Sequence, residues 1–186
     1  MRALSSYSAR CRTIEQTVTD IFAIESLSTA IGGLFVVTDA EGNVCAIDWD
    51  DHEARMLRLL QRQYSADTSF VSARKTSNAR RALERYFSGN PQSIESVRTR
   101  TQGTPFQRKV WEVLRAVPVG QTTTYGAVAE RIGLPRAYRA VGAAIGKNPI
   151  GIVIPCHRVI GASGSLTGYA GGIGRKQWLL EHEAAR

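Results

Sequence analysis

The stretch TTYGAVAERIGLPRAYRAVGAAIGKNP, residues 123–149, contains the clearest local pattern in the chain. It predicts two short helices, at about residues 124–132 and 136–146, joined by a Gly133-Leu134-Pro135 turn. The alanines and glycines of these helices are small enough to let the helices pack closely. This outline is that of a helix-turn-helix, although any other small helical hairpin would give a similar pattern.

A third helix precedes this pair in TPFQRKVWEVLRAVPVG, residues 104–120. Thr104 is a favourable N-cap, and Pro105 suits the first helical position. The apolar residues recur at the spacing of one helix face, and Pro118 and Gly120 end the helix. The polar residues 97–104 lack this periodicity, so we expect a linker there.

The positive charge of the chain is concentrated in its C-terminal half. Residues 1–100 contain 13 Lys and Arg against 12 Asp and Glu, whereas residues 101–186 contain 11 against 4. Such an asymmetry favours a polyanionic partner, with nucleic acid the usual one. On charge alone, a merely basic soluble surface is the alternative.

The N-terminal half reads as a mixture of strands and helices. The run GGLFVVTDAEGNVCAIDW, residues 32–49, predicts a β-hairpin around AEGN. Helices are expected over residues 52–64 and 78–91, the second with Asn78 as its N-cap. The first 20 residues are polar and aperiodic, which predicts a loose extension.

These elements predict an α/β (α+β) fold in three parts. Residues 1–20 form the extension, and residues 21–98 form a small α/β domain with a hairpin-containing sheet. Residues 101–186 form a mainly helical domain with a winged-helix-like helix-turn-helix.

Composition excludes several classes of protein. No apolar run approaches the roughly 20 residues needed to span a bilayer, and the N-terminus lacks the apolar core of a signal peptide. We therefore expect a cytoplasmic protein without membrane contact. Cys11, Cys45 and Cys156 are an odd number at unrelated spacings without a C-x-x-C pair, so neither a disulfide framework nor a structural zinc site is expected.

The most reactive pattern is IPCHRVIG, residues 154–161. The β-branched run over residues 150–154 predicts a buried strand that Pro155 ends, so that Cys156 emerges where the chain leaves the core. A free thiol has a pKa of about 8.5, and the neighbouring His157 and Arg158 are expected to favour its thiolate.

Three chemical roles for Cys156 remain open at this point. It could be a nucleophile, an inert buried thiol, or the nucleophile of a cysteine hydrolase with an oxyanion hole that the sequence does not reveal. A third group should orient His157, and the spacing does not choose among the C-terminal carboxylates Glu112, Glu130, Glu181 and Glu183. The glycine-rich residues 161–174 contain no G-x-G-x-x-G, so no dinucleotide site is expected.

The segment NPIGIVIPCHRVIGASGSLTGYAGGIGRKQWLLEHE, residues 148–183, closely resembles the active-site segment of the O6-alkylguanine-DNA alkyltransferases, the Ogt-type methylated-DNA–protein-cysteine methyltransferases. Residues 103–133 and 139–149 are similar to the first helix and the helix-turn-helix of this family. The resemblance is weaker over residues 21–98, where the family has a small α/β domain.

This resemblance implies a catalytic set. Cys156 would accept an alkyl group from O6 of a damaged guanine, and His157 would remove the thiol proton through a water molecule. Glu183 would hold His157 in the productive tautomer, and Asn148 would brace the turn that leads into the site.

The resemblance also implies residues that contact DNA. Tyr125 would donate a hydrogen bond to the guanine and help rotate the nucleotide out, and Arg139 would fill the gap in the base stack. The guanine pocket would be lined by Val159, Tyr169 and the backbone at Ala170. The partner would be double-stranded DNA, bound in its minor groove, and no cofactor or metal is expected.

Two further expectations follow. The protein would be a monomer, with cooperative binding along DNA left open, and would be consumed one-for-one because a thioether does not regenerate Cys156. A non-enzymatic damage sensor is the alternative class, but related sensors replace the cysteine that this chain keeps. Gly151 stands where some family members have a second proline, and we expect this to admit alkyl groups larger than methyl.

Overall fold

The computed structural model describes residues 20–64 and 68–185. The expected extension over residues 1–20 therefore lies outside the described residues except for Asp20, and so does Cys11. In the described part, four strands form a mixed sheet in the order β3-β2-β1-β4. The strands are β1 (Ile21–Thr29), β2 (Gly32–Thr38), β3 (Val44–Trp49) and β4 (Ser69–Ser72).

The predicted hairpin is confirmed as the antiparallel pair β2–β3. Its turn closes through Asp39, whose Oδ1 accepts hydrogen bonds from the amides of Glu41 at 3.1 Å and Asn43 at 2.8 Å. Gly42 takes a φ of 78° there, a region that glycine enters without steric strain. The sequence did not predict β1, which pairs antiparallel with β2, or β4, which pairs parallel with β1.

The described residues contain six α-helices, which include those predicted above. They are α1 (Glu53–Gln63), α2 (Asn78–Phe87), α3 (Pro105–Arg115), α4 (Tyr125–Arg131), α5 (Tyr138–Gly146) and α6 (Ile173–Ala184). Thr104 caps α3 in a capping box with Gln107, as its position predicts. The N-cap of α2 is Ser77 rather than Asn78, because the Ser77 hydroxyl accepts from the amide of Arg80 at 3.1 Å.

Residues 97–104 do not form a loose linker. Val97 is buried, and the Val44 amide donates to the carbonyl of Arg98 at 2.9 Å. The Arg100 amide in turn donates to the carbonyl of Val44 at 2.8 Å. The connection thus pairs with the free edge of β3. One apolar core runs from the sheet into α3, α5 and α6 and includes Leu34, Leu114 and Leu179.

Two short strands join the helix pair to the region of the cysteine. Strand β5 (Thr123–Thr124) pairs parallel with β6 (Val159–Ile160), which follows the 3-10 helix Cys156–Arg158. Since Thr124 caps α4, this pairing places the start of α4 next to the cysteine segment. The pairing of β5 with β6 alone therefore places Tyr125, the first residue of α4, close to the segment that contains Cys156.

Candidate active site

The chain reaches Cys156 through a buried turn, which makes the predicted strand over residues 150–154 wrong. The Val153 amide donates to the Gly151 carbonyl at 2.7 Å, and the Cys156 amide donates to the Ile154 carbonyl at 2.8 Å. Each bond closes a three-residue γ-turn. Ile152, at the centre of the first, has a φ of 67°, a strained value for a β-branched residue.

The side chain of Asn148 braces this turn. Its Nδ2 donates to the Ile154 carbonyl at 2.8 Å, and its Oδ1 accepts from the Ile150 amide at 3.0 Å. These two backbone groups are therefore satisfied without a strand partner. The run is apolar because it is buried, and burial alone does not distinguish a strand from a compact turn.

The turn is also attached to strand β3. The Ile47 amide donates to the carbonyl of Pro149 at 3.0 Å, and the Gly151 amide donates to the carbonyl of Ile47 at 2.9 Å. The backbone that leads to Cys156 is thus held by the sheet on one side and by Asn148 on the other.

Cys156 is half-buried in a narrow pocket. The pocket wall includes Trp49, Arg55, Tyr169 and Ala170. The cavity volume is about 20 Å³, which is room for roughly one water molecule. A purine does not fit this space, so an entering base requires the wall to open. Tyr169, Ala170 and Gly171, which belong to the glycine-rich segment 161–172, are the part of the wall least supported by regular structure.

His157 is fully buried and held by Glu183. Its Nε2 lies 2.9 Å from Glu183 Oε1. An ionised carboxylate only accepts hydrogen bonds, so Nε2 carries the ring proton and Nδ1 has the free lone pair. Among the described residues, Nδ1 has no hydrogen-bond partner. The ring is therefore in the tautomer that can accept a proton at Nδ1.

Glu183 is surrounded by donors. The Tyr86 hydroxyl donates to Oε1 at 2.7 Å, and Arg158 donates from Nε to Oε2 at 2.7 Å and from Nη2 to Oε1 at 2.9 Å. Burial raises the pKa of Glu183, but the hydrogen bonds from His157 and Arg158 outweigh it and hold the pKa well below 4.5. Glu183 therefore remains an anion in the core.

The expected role of Arg158 is corrected by this geometry. Arg158 donates hydrogen bonds to Glu183 and to the Val117 carbonyl, so its positive charge is directed at Glu183 and not at the Cys156 thiol. The cations that favour the Cys156 thiolate are instead Arg55 and, more weakly, Lys176. Arg55 pairs with Asp48 and also donates to the carbonyl of Gly146, at the end of α5, at 3.0 Å and to that of Asn148, at the start of the active-site turn, at 3.2 Å.

The resting site is neutral at both reacting groups. Burial raises the pKa of the Cys156 thiol, against smaller opposing effects from Asn148 and Arg55. Burial also lowers the pKa of His157 below 6.5, although Glu183 acts in the opposite direction. A neutral thiol beside a neutral base is stable until an electrophile makes proton transfer favourable.

Lys176 supports the far side of the pocket. It is fully buried, and its Nζ donates to the carbonyls of Val159 and, at 2.8 Å, Thr167. Val159 itself is fully buried and lies outside the pocket wall, whereas Tyr169 and Ala170 are part of it. The expectation that Val159 lines the pocket beside them therefore differs from its observed place.

The two residues expected to contact DNA lie on the helix pair. Tyr125 begins α4, and its hydroxyl donates to the Thr167 carbonyl at 3.2 Å. Arg139 is the second residue of α5 and is exposed. No ion pair within residues 20–64 and 68–185 involves Arg139, so its charge is available to a ligand.

The sequence did not predict several residues of the site. Tyr86, Arg55 and Trp49 belong to the N-terminal half, and they reach the site only through the tertiary fold. No local pattern marks them. Lys176 does have a sequence signal, because a lysine next to the apolar residues of α6 is an unusual core residue.

Residues 20–64 and 68–185 contain no group of three or more His, Cys, Asp and Glu side chains that could hold a metal ion. No helix in the same residues is long and apolar enough to cross a membrane.

Comparison with known families now places the chain. The family model for the DNA-binding domain of 6-O-methylguanine DNA methyltransferase matches residues 105–185, and the model for its ribonuclease-like domain matches residues 24–101. The chain belongs to this family of methyltransferases.

Named relatives and solved structures agree. A methylated-DNA–protein-cysteine methyltransferase of Salmonella typhimurium is 50% identical over 160 residues, which cover 86% of this chain and 94% of the relative. The Shigella flexneri protein of the same name is 48% identical over the same shares. The crystal structure of the Mycobacterium tuberculosis protein in complex with DNA superposes with a TM-score of 0.71 at 36% identity, covering 89% of this chain and 93% of that one.

Proposed function

We propose that this chain repairs DNA by transferring an alkyl group from O6 of guanine in duplex DNA to Cys156, with O4-alkylthymine as a second substrate to be tested. The observation that carries the proposal is the base at His157. Its Nε2 is fixed on Glu183, and its unpartnered Nδ1 belongs to the residue that directly follows a half-buried thiol. The names of the relatives supply the substrate class.

The reaction balances without a cofactor. His157 Nδ1 accepts the proton of the Cys156 thiol through a water molecule, and the thiolate attacks the alkyl carbon. The carbon–sulfur bond forms as the carbon–oxygen bond to the base breaks. The electron pair stays on the guanine, which takes up a proton. Because a thioether is a very poor leaving group, each protein molecule acts once.

Each remaining residue has a proposed part in this step. Glu183 orients the imidazole and stabilises its cation, and Asn148 fixes the turn beneath the sulfur. Tyr125 assists rotation of the nucleotide, and Arg139 replaces it in the stack. Tyr169 and the backbone at Ala170 form the wall of the pocket for the extruded base, and the buried Val159 is not part of that wall.

The partner is double-stranded DNA, approached through its minor groove by the small residues of α5 and bound by a monomer. The division between residues 21–98 and 101–186 stays a prediction. We place the protein in the cytoplasm, because its half-buried thiol suits a reducing compartment.

Intact-mass measurement tests the proposal directly. After incubation with duplex DNA that contains O6-methylguanine, the protein should gain the mass of one CH2 unit, because a methyl group replaces the thiol hydrogen, and peptide mapping should locate it at Cys156. Cys156→Ser should bind the duplex and gain nothing. Cys45→Ser is the matched control: Cys45 is buried in β3 with a pKa raised to about 11, so its loss should leave the transfer intact.

Two outcomes would reject the proposal. Many equivalents of demethylated DNA per protein molecule would identify a hydrolase that turns over. An unmodified wild-type protein that still binds the duplex would identify a damage sensor.

A further inference from the structure

Tyr138 is unusual among the aromatic residues of this protein. Among the tyrosine, phenylalanine and tryptophan side chains of residues 20–64 and 68–185, Tyr138 is the one that is largely exposed, at 49%, while the others are buried or half-buried. It is the first residue of α5. An aromatic ring contributes a large apolar area, and leaving it in water at a helix start serves no packing purpose in the free protein.

The ring is paired with a cation. The guanidinium carbon of Arg139 lies 5.8 Å from the centroid of the Tyr138 ring, within the range of a cation–π contact. Since Arg139 takes part in no ion pair within the described residues, the two side chains form one exposed unit. This unit has a flat apolar surface and a positive charge, which together suit a base and its phosphate.

The position of Tyr138 connects this unit to the pocket. Residues four apart lie on the same side of a helix, so Tyr138 stands above Gly142 by about one turn. A Cβ at Gly142 would lie 3.7 Å from the ring of Tyr125. The Tyr125 hydroxyl in turn contacts Thr167, two residues before Tyr169 of the pocket wall. A series of neighbouring residues therefore links Tyr138 with the wall of the pocket that contains Cys156.

We propose that Tyr138 is a further DNA-contacting residue that stacks on the base left without a partner when the damaged nucleotide is extruded. Tyr138 also holds Arg139, by the cation–π contact, in the orientation needed to enter the stack. This inference rests on the proposed function, since it requires a duplex from which one nucleotide is removed. Stacking of Tyr138 on the unpaired base of the opposite strand would stabilise the duplex in which the damaged nucleotide is extruded.

The test compares two substrates for each variant. Rates of alkyl transfer are measured from duplex DNA containing O6-methylguanine and from free O6-benzylguanine, which needs no extrusion. Loss of one base–aromatic stack weakens binding by a factor of about 5 to 150. For Tyr138→Ala, the ratio of the duplex rate to the free-base rate should therefore fall about 10-fold. Damage to the fold would lower both rates and leave the ratio unchanged.

Two further variants complete the design. Tyr138→Phe retains the ring, and its ratio should stay within about twofold of wild type. Val71→Ala removes an apolar side chain of similar exposure, 51%, from the edge strand β4, and should keep the wild-type ratio. A fluorescent 2-aminopurine opposite the lesion gives a second readout, because stacking on tyrosine quenches it. Its emission in the complex should be higher with Tyr138→Ala than with Tyr138→Phe.

The outcomes separate this inference from the proposed function. An unchanged rate ratio for Tyr138→Ala, or equal emission for the two Tyr138 variants, overturns the stacking role while methyl transfer by the wild type stands. A Tyr138→Phe variant as impaired as Tyr138→Ala also overturns it, because the hydroxyl rather than the ring would then matter. Absence of transfer from both substrates by the wild type rejects the proposed function itself.

Discussion

Replacing Tyr86 by phenylalanine should weaken the buried network and move the acid limb of the transfer reaction. The Tyr86 hydroxyl is fully buried and donates to Glu183 Oε1 at 2.7 Å. Burial and the charge of Glu183 raise the pKa of Tyr86, so the hydroxyl keeps its proton and remains a donor. Phenylalanine preserves the ring packing and removes only this donor.

The expected loss of stability is modest. A hydrogen bond to a charged group contributes about 1.5–3 kcal/mol. Glu183 keeps its bonds to His157 and Arg158, so we expect the lower end, about 1.5 kcal/mol, or a Tm lower by about 3–6 °C for a chain of this size. Because the folded-state pKa of Glu183 lies below 4.5, this contribution is present above that pH and declines on acidification.

The effect of Tyr86→Phe on the transfer rate follows from the negative charge of Glu183. With one donor removed, Glu183 accepts more strongly from His157 Nε2 and stabilises the imidazolium. The pKa of His157, which burial lowers below 6.5 in the wild type, should therefore rise. Since the neutral imidazole is the base, the transfer rate should begin to fall at a higher pH than in the wild type.

The assay is single-turnover transfer from methylated duplex DNA over about pH 5 to 9, with thermal unfolding measured alongside. Tyr64→Phe is the matched control, because the Tyr64 hydroxyl donates at 2.8 Å to the Arg100 carbonyl, away from the thiol. This control should lose stability without moving the acid limb. A Tyr86→Phe variant that is destabilised but has the wild-type pH profile would refute the reasoning.

Three other predictions concern the pocket. Gly171→Ala should slow transfer strongly, since its Cβ would collide with the Trp49 indole; the rate with free O6-benzylguanine measures the damage. Arg55→Gln removes a cation that favours the Cys156 thiolate, so alkylation by iodoacetamide should require a higher pH, whereas an unmoved profile contradicts this role. Lys176→Met leaves two carbonyls without their donor and should cost about 2–3 kcal/mol in urea unfolding; a loss below the error of that measurement would mean that water replaces the ammonium.

Local signals were sufficient for much of the fold. The hairpin around AEGN and the capped helix after Thr104 are determined by residues close in sequence, and both are present. The run over residues 150–154 was misread because its apolarity reports burial rather than backbone shape. The hydrogen bonds that hold this turn in place come from Asn148 and from β3, and no sequence periodicity reveals them.

The residues of the site also divide into those that the sequence indicates and those that only the tertiary structure shows. Cys156 and His157 stand out because they are adjacent, whereas the spacing could not choose Glu183 among four carboxylates. The family resemblance supplied that choice, and the 2.9 Å contact with His157 agrees with it. Arg158 was assigned to the wrong partner, since sequence adjacency does not show where a long side chain turns. Tyr86 lies 97 residues from Glu183 in the chain and required the tertiary structure.

The anchoring of the turn at residues 148–154 has a mechanical consequence. Strand β3 and Asn148 hold the backbone beneath Cys156 from two directions, so the position of its sulfur is fixed. The displacement needed to bring carbon and sulfur together then falls on the nucleotide and on the glycine-rich segment 161–172, which supplies the wall residues Tyr169, Ala170 and Gly171. Engineering for a bulkier lesion should accordingly lengthen or loosen that wall and leave the platform under the cysteine untouched.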